Sequence, residues 1–123
     1  MKPDIRLNNS ELKIMNILWE RGVLSAKEVS LEAAARHSWN KNTTYTILKG
    51  LVEKGYIQRD EPNFTCSPLL SIDNVRQWET RGLIDRLFGG SPGTFISTFF
   101  EQENLTDEEL SEIRKMIDEG EQK

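Results

Sequence analysis

The sequence predicts a mainly helical fold with one small β-hairpin, an α+β arrangement, in two parts. Apolar residues recur at helical spacing in several segments that begin at capping residues and end at glycine. Two short segments of strand-forming residues flank the turn sequence Pro62-Asn63. Residues 1–61 carry ten Lys and Arg and eight Asp and Glu, whereas residues 62–123 carry six and twelve. We therefore expect a first domain at residues 1–69 and a second, more acidic helical domain at residues 70–123.

Two helices are predicted before residue 40. "ELKIMNILWERG" has an apolar stripe at helical spacing after a candidate N-cap, Ser10, and Gly22 stops the helix. A very short strand is predicted at residues 23–24. Ser25 and Glu28 then have the spacing of a capping box, which predicts a second, short helix that ends near residue 37.

The third predicted helix has two chemically different faces. Asn40 is its expected N-cap and Gly55 ends it. The apolar face comprises Thr44, Ile47, Leu48, Leu51 and Val52. The opposite, polar face comprises Lys41, Asn42, Tyr45, Thr46, Lys49 and Glu53. "YIQRD" and "FTCSP" follow this helix and are predicted to be the two strands of the hairpin.

Three helices are predicted in the second domain. Ser71 opens the first of them, and Gly89-Gly90 stops it. A short helix that is rich in aromatic residues is expected in "SPGTFISTFFEQ". Thr106 and Glu109 have the spacing of a capping box, which predicts the last helix.

Residue counts argue against catalysis and against a metal site. His37 is the one histidine and Cys66 the one cysteine, so no His pair and no cysteine cluster can form, and a Ser-His-Asp set would have no candidate base other than His37. "FGGSPG" lacks the spacing and the lysine of a phosphate-binding loop. We therefore expect no enzyme, no cofactor and no metal. A single cysteine fits a reducing compartment, "MKPDIRLNNSEL" has no signal-peptide core, and no apolar run is long enough for membrane insertion.

The first domain has the order of elements that a winged helix-turn-helix requires. The third helix follows a short second helix and a turn, and the hairpin after it can lie along DNA as a wing. Asn can pair with adenine, Lys can reach guanine or phosphate, and Thr and Tyr can contact base edges. The alternative is a three-helix domain whose polar face meets only water. The predicted contacts to double-stranded DNA are Lys41, Asn42, Thr43, Tyr45, Thr46 and Lys49 from the third helix and Arg59 and Asn63 from the wing.

Four motifs occur in order over nearly the whole chain: "SELKIMNILWERGVLSAKEV", "WNKNTTYTILKGLVEKGYI", "LIDRLFGGS" and "LTDEELSEIRKMID". In this order and spacing they resemble the penicillinase-repressor family, bacterial winged-helix repressors of β-lactamase and methicillin-resistance genes. The resemblance implies a cytoplasmic homodimer that binds palindromic operators through two winged helices. It also implies that the C-terminal helices hold the dimer together.

The apolar residues of the second domain agree with a dimer. They are too many for so small a domain to bury alone, and the alternative is that they pack back on the first domain. The expected dimerisation residues are Trp78, Leu83, Leu87, Phe95, Phe99, Ile113 and Ile117.

The resemblance also implies how repression ends. In the antibiotic-responsive branch, a membrane-bound sensor metalloprotease cuts the repressor just before a phenylalanine, and the matching bond here is Thr98-Phe99. Thr98 stands where the best-known members carry Asn. The copper-responsive branch carries a C-terminal cysteine cluster, and this chain ends "DEGEQK", so we expect no copper sensing by that route.

The predicted DNA-reading surface departs from the family at several positions. Family members usually place basic residues where Tyr45, Gly50 and Glu53 stand, and the wing carries Asp60-Glu61. Weaker contact with phosphate is expected from these changes. Two further functions therefore stay open, a protein-interaction module built on a winged helix and a repressor that responds to another signal.

Overall fold

The computed structural model describes residues 4–121, which form six helices and three short strands. In chain order they are α1 (Asn9–Arg21), β1 (Leu24–Ser25), α2 (Ala26–His37), α3 (Lys41–Glu53), β2 (Ile57–Asp60), β3 (Thr65–Pro68), α4 (Ile72–Leu87), α5 (Pro92–Gln102) and α6 (Asp107–Glu121). The predicted fold class, mainly helical with a small sheet, is confirmed. Residues 1–3 of the segment judged to lack a signal peptide, and residues 122–123 of the final "DEGEQK", lie outside the described residues.

Helix α1 starts earlier than predicted. Asn8 is its N-cap: the Oδ1 atom of Asn8 accepts a hydrogen bond from the backbone N–H of Glu11 at 2.8 Å. The Glu11 carboxylate accepts from the backbone N–H of Asn8 at 3.0 Å, which completes a capping box. The predicted N-cap, Ser10, is therefore wrong. Asn8 is as good a cap as serine, and Glu11 stands three residues after Asn8, where it can close the box.

The caps of α2 and α3 are those predicted. Ser25 and Glu28 form a capping box, and the Oδ1 atom of Asn40 accepts from the backbone N–H of Thr43 at 2.8 Å. The end of α3 is tied to the start of α1, since the Nζ atom of Lys54 lies 2.7 Å from a carboxylate oxygen of the buried Glu11. The Asn40 cap thus sets where α3 begins, and the contact between Lys54 and Glu11 ties its end to α1.

The sheet has three strands, because the short strand predicted at residues 23–24 forms one residue later, at Leu24–Ser25, and joins the hairpin. Strand β3 lies in the middle and pairs in antiparallel fashion with β1 and β2, in the order β1-β3-β2. Leu24 pairs with Cys66, and Ile57 pairs with Pro68. Cys66 is fully buried, and burial raises the pKa of its thiol to about 11, so it is a packed, neutral thiol.

The chain forms two compact units, and the boundary between them lies between Glu79 and Thr80, within α4. The core of the first unit is made by α1, α2, α3 and the sheet, and its largest fully buried side chains are Ile14, Met15, Ile17, Leu18, Val29, Leu48, Leu51 and Ile57. In the described part of the second unit, Ile84 is the one buried apolar residue. The second unit therefore has little core of its own.

Candidate nucleic-acid interface

Helix α3 presents its two faces as the sequence predicts. Thr44, Leu48 and Leu51 are fully buried, and Ile47 and Val52 are half-buried against the core. The packing of this face against α1 and α2 leaves the opposite face to solvent. The exposed side chains on that face are Lys41, Asn42, Thr43, Thr46, Lys49 and Glu53. Five of the six predicted DNA contacts of α3 are thus accessible together.

A groove runs between α3 and strand β2. Its volume is about 540 Å³, and its lining residues are Thr46, Lys49, Gly50, Val52, Glu53 and Arg59. Thr46, Lys49 and Arg59 are three of the predicted DNA contacts, so the structure brings helix and wing residues to one site. Glu53 adds a carboxylate to the end of the groove where α3 finishes.

Tyr45, the sixth predicted contact of α3, is packed differently from the other five. It is half-buried, and its ring meets the ring of Phe64 edge to face, with centroids 5.9 Å apart and planes at 87°. The Nζ atom of Lys41 lies 5.4 Å from the centroid of the Tyr45 ring. The tyrosine ring therefore joins α3 to the wing, a role that its place on a polar helix face does not reveal.

The wing is short, and its charged side chains contact one another. The guanidinium carbon of Arg59 lies 3.7 Å from the centroid of the Phe64 ring, and the Nε atom of Arg59 donates to Glu61 Oε1 at 2.5 Å. The neighbouring carboxylate of Asp60 accepts from Gln58 Nε2 at 3.2 Å. Asn63, the other predicted wing contact, is exposed in the turn.

A second groove, formed by α2 and the start of α3, was not predicted from the sequence. It has a volume of about 530 Å³, and its lining residues are Lys27, Ser30, Leu31, Ala34, Trp39, Asn40, Lys41 and Tyr45. The signal available was Lys27, the second residue of α2, because the first helix of a helix-turn-helix crosses the DNA backbone near its N-terminus. Lys27 and Lys41 give this groove two cations beside the N-terminus of α3.

Other kinds of site find no support in the described part of the chain. Between residues 4 and 121, no three His, Cys, Asp or Glu side chains are placed as metal ligands would be. None of the described helices is both long enough and apolar enough to cross a bilayer.

The comparison with known families decides which proteins this one belongs with. A family model described as penicillinase repressor matches residues 7–119. The chain belongs to the penicillinase repressor family. This confirms the resemblance found in the sequence motifs. Members of the penicillinase repressor family are transcriptional regulators, so the prediction that the chain is not an enzyme is confirmed as well.

Relatives within the penicillinase repressor family align along most of their length. The chain is 25% identical over 113 residues to the methicillin resistance regulatory protein MecI of Mammaliicoccus sciuri. That alignment covers 90% of this chain and 92% of MecI. It is 22% identical over 121 residues to the penicillinase repressor of Bacillus licheniformis. That alignment covers 97% of this chain and 94% of the Bacillus licheniformis repressor.

Solved structures of the penicillinase repressor family share the fold of the first unit. The solution structure of the DNA-binding domain of the repressor BlaI has a TM-score of 0.54 and 24% identity, over 60% of this chain and 93% of that one. Monomeric BlaI of Bacillus licheniformis in complex with the blaP half-operator has a TM-score of 0.51 over the same shares. The predicted winged helix is therefore confirmed as a fold.

Proposed function

We propose that this chain is a dimeric transcriptional repressor that binds palindromic operator DNA through α3 and the β2–β3 wing. The observation that carries the proposal is the exposed polar face of α3, where Thr46 and Lys49 line a groove that also contains Arg59 of the wing. A member of a repressor family that folds like the DNA-binding domain of BlaI presents this face to solvent.

The residue types on this face suit a DNA major groove. Asn42 can pair with adenine through its amide, and Lys49 can reach guanine or phosphate. The N-terminal turn of α3, held by its Asn40 cap, points backbone N–H groups at a phosphate, and Lys27 and Lys41 add charge there. The wing then extends the contact along the backbone through Arg59 and Asn63.

The second unit supports a dimer. All of its large apolar side chains except Ile84 are at least partly exposed in the single chain, and Leu87 is 69% exposed and Ile117 56% exposed. A second copy of the unit would cover such side chains. Of the other predicted dimerisation residues, Phe99 is exposed and Leu83, Phe95 and Ile113 are half-buried, while the half-buried Trp78 lies in the first unit, just before its boundary. A two-fold dimer fits a palindromic operator with half-sites about 10 bp apart, or a multiple of that spacing.

Relief of repression by proteolysis is the mechanism that family membership favours. The bond between Thr98 and Phe99 lies within helix α5, where Thr98 is half-buried and Phe99 38% exposed. A protease would have to open that helix locally, and a helix with no buried residue offers little resistance to opening. We assign the repressor to the cytoplasm, with genes of the antibiotic-resistance type or related ones as targets and a membrane-bound sensor metalloprotease as the cutting partner.

In vitro transcription tests repression directly. The template is the promoter of the operon that encodes this chain, with an unrelated promoter in the same reaction as control. We expect full-length transcript from the first promoter to fall as the protein is added, while transcript from the second stays constant. Equal transcription from both promoters at every protein concentration would count against the proposal.

Two substitutions distinguish the ring contact of Tyr45 with Phe64 from a contact of its hydroxyl group with DNA. Tyr45→Phe keeps the ring contact with Phe64, so we expect operator affinity within about twofold of the original protein. Tyr45→Ala removes a contact of the kind worth about 0.5–1.5 kcal/mol beyond area burial, so both unfolding free energy and operator affinity should fall. Urea unfolding and fluorescence anisotropy measure the two effects. If Tyr45→Phe loses as much affinity as Tyr45→Ala, the hydroxyl contacts DNA and the ring contact is secondary.

A further inference from the structure

The cation that the wing would offer to DNA is already partnered within the wing. Arg59 lies over the face of Phe64, and its Nε atom donates to Glu61 Oε1. A carboxylate and a phosphate accept from a guanidinium in the same geometry, with oxygens in line with its N–H groups. Glu61 therefore occupies the position beside Arg59 that a DNA phosphate oxygen would take.

Replacing the Glu61 carboxylate by a DNA phosphate as the partner of Arg59 costs little free energy. The side chains of Arg59 and Glu61 are 37% and 59% exposed, and an exposed ion pair of this kind is worth about 0–1 kcal/mol. Such a pair can open when the wing meets DNA. The cost of opening it, and the repulsion between a freed carboxylate and the phosphate backbone, both reduce the affinity for DNA.

We propose that Glu61 is an internal competitor of DNA phosphate for Arg59, and that it sets the strength of the wing's contact with the backbone. The inference rests on the proposed DNA-binding function. Since phosphate contacts carry no sequence information, Glu61 lowers the affinity for operator and unrelated DNA alike and leaves the preference between them nearly unchanged.

A matched control separates this competition from general charge repulsion. Asp60 is the adjacent acidic residue, and its carboxylate is held by Gln58 and not by Arg59. Glu61→Gln and Asp60→Asn remove the same charge from neighbouring positions of one wing. Only the first of them frees the Arg59 guanidinium.

The test measures binding to the operon promoter and to a scrambled duplex by fluorescence anisotropy across a salt series, for both variants. Each is made with Arg59 and also in an Arg59→Gln background, and thermal unfolding confirms that every variant is folded. We expect Glu61→Gln to tighten binding to both duplexes by about fivefold, the equivalent of an ion pair of about 1 kcal/mol. The slope of log affinity against log salt should steepen by about 0.9, the value of one phosphate contact.

Asp60→Asn should tighten binding less, because it removes only repulsion. In the Arg59→Gln background the gain from Glu61→Gln should fall to that of Asp60→Asn. Equal gains for the two variants when Arg59 is present, a gain from Glu61→Gln that keeps its full size without Arg59, or no gain at all would overturn the proposal. The scrambled duplex keeps this result separate from the proposed function. A fivefold Arg59-dependent gain on both duplexes without any preference for the promoter would support the role of Glu61 and contradict specific repression.

Discussion

Leu87→Glu is expected to convert the dimer to a monomer and to weaken binding to a palindromic operator by about 10²–10⁴-fold, since linkage of two binding units contributes that factor. Leu87 is 69% exposed in the single chain, so a glutamate there should cost the fold of one copy little. In a dimer that covers this side chain, the same substitution places an unpaired carboxylate in an apolar contact. The effect should therefore appear in association and in DNA binding, and hardly in the folding of the first unit.

Sedimentation equilibrium and anisotropy with full and half operators measure this prediction. The control is Gln77→Glu, which adds the same charge at an exposed polar position of the same helix. The Leu87→Glu variant should bind a half operator with the affinity of the original protein. It should lose only the additional affinity that the second half of the full operator provides. A dimer that persists at the same concentration would show that the interface lies elsewhere, and Ile117→Glu on α6 then tests the next exposed position.

Lys49→Met and Thr46→Ala are expected to weaken operator binding by about 1–3 kcal/mol each where they remove a base contact. Both side chains are exposed and line the groove between α3 and the wing. Methionine keeps the length of the lysine stem without its charge, and alanine favours a helix more than threonine does. Loss of binding would therefore report lost contacts with DNA and not a damaged helix.

Measurements on operator and scrambled duplexes distinguish a contact with phosphate from a contact with a base. A phosphate contact at Lys49 predicts a uniform loss and a salt slope reduced by about 0.9, whereas a base contact predicts a loss on the operator alone. Lys115→Met, at an exposed lysine of α6, is the matched control. Unchanged affinity for both Lys49→Met and Thr46→Ala would refute the assignment of this face of α3 to DNA.

Periodicity and capping chemistry were sufficient to predict most of the fold. The apolar positions of α3 follow the helical repeat, and Asn40 stands immediately before them, so both face and start were predictable. The apolar run after Ser10 predicts Ser10 as the cap of α1, but Asn8 has the partner three residues later that closes a capping box. When two capping residues stand close together, the position of the acidic partner decides between them.

The candidate site was predictable only in part, because some of its side chains act through residues distant in sequence. The exposure of Lys49 follows from its place on the helix. The pairing of Arg59 with Glu61 depends on where strand β2 ends. The contact between Tyr45 and Phe64 depends on how the wing folds back on α3. Tertiary packing of this kind leaves no periodic signal in the sequence.

Specific binding to the operator is the central claim, and fluorescence anisotropy with the promoter of the chain's own operon tests it most directly. The titration is made across a salt series with a scrambled duplex of the same length and composition. The account predicts salt-dependent binding that prefers the promoter by at least about 10³-fold. Equal, weak binding to both duplexes would contradict it and would favour a winged helix that binds a protein partner.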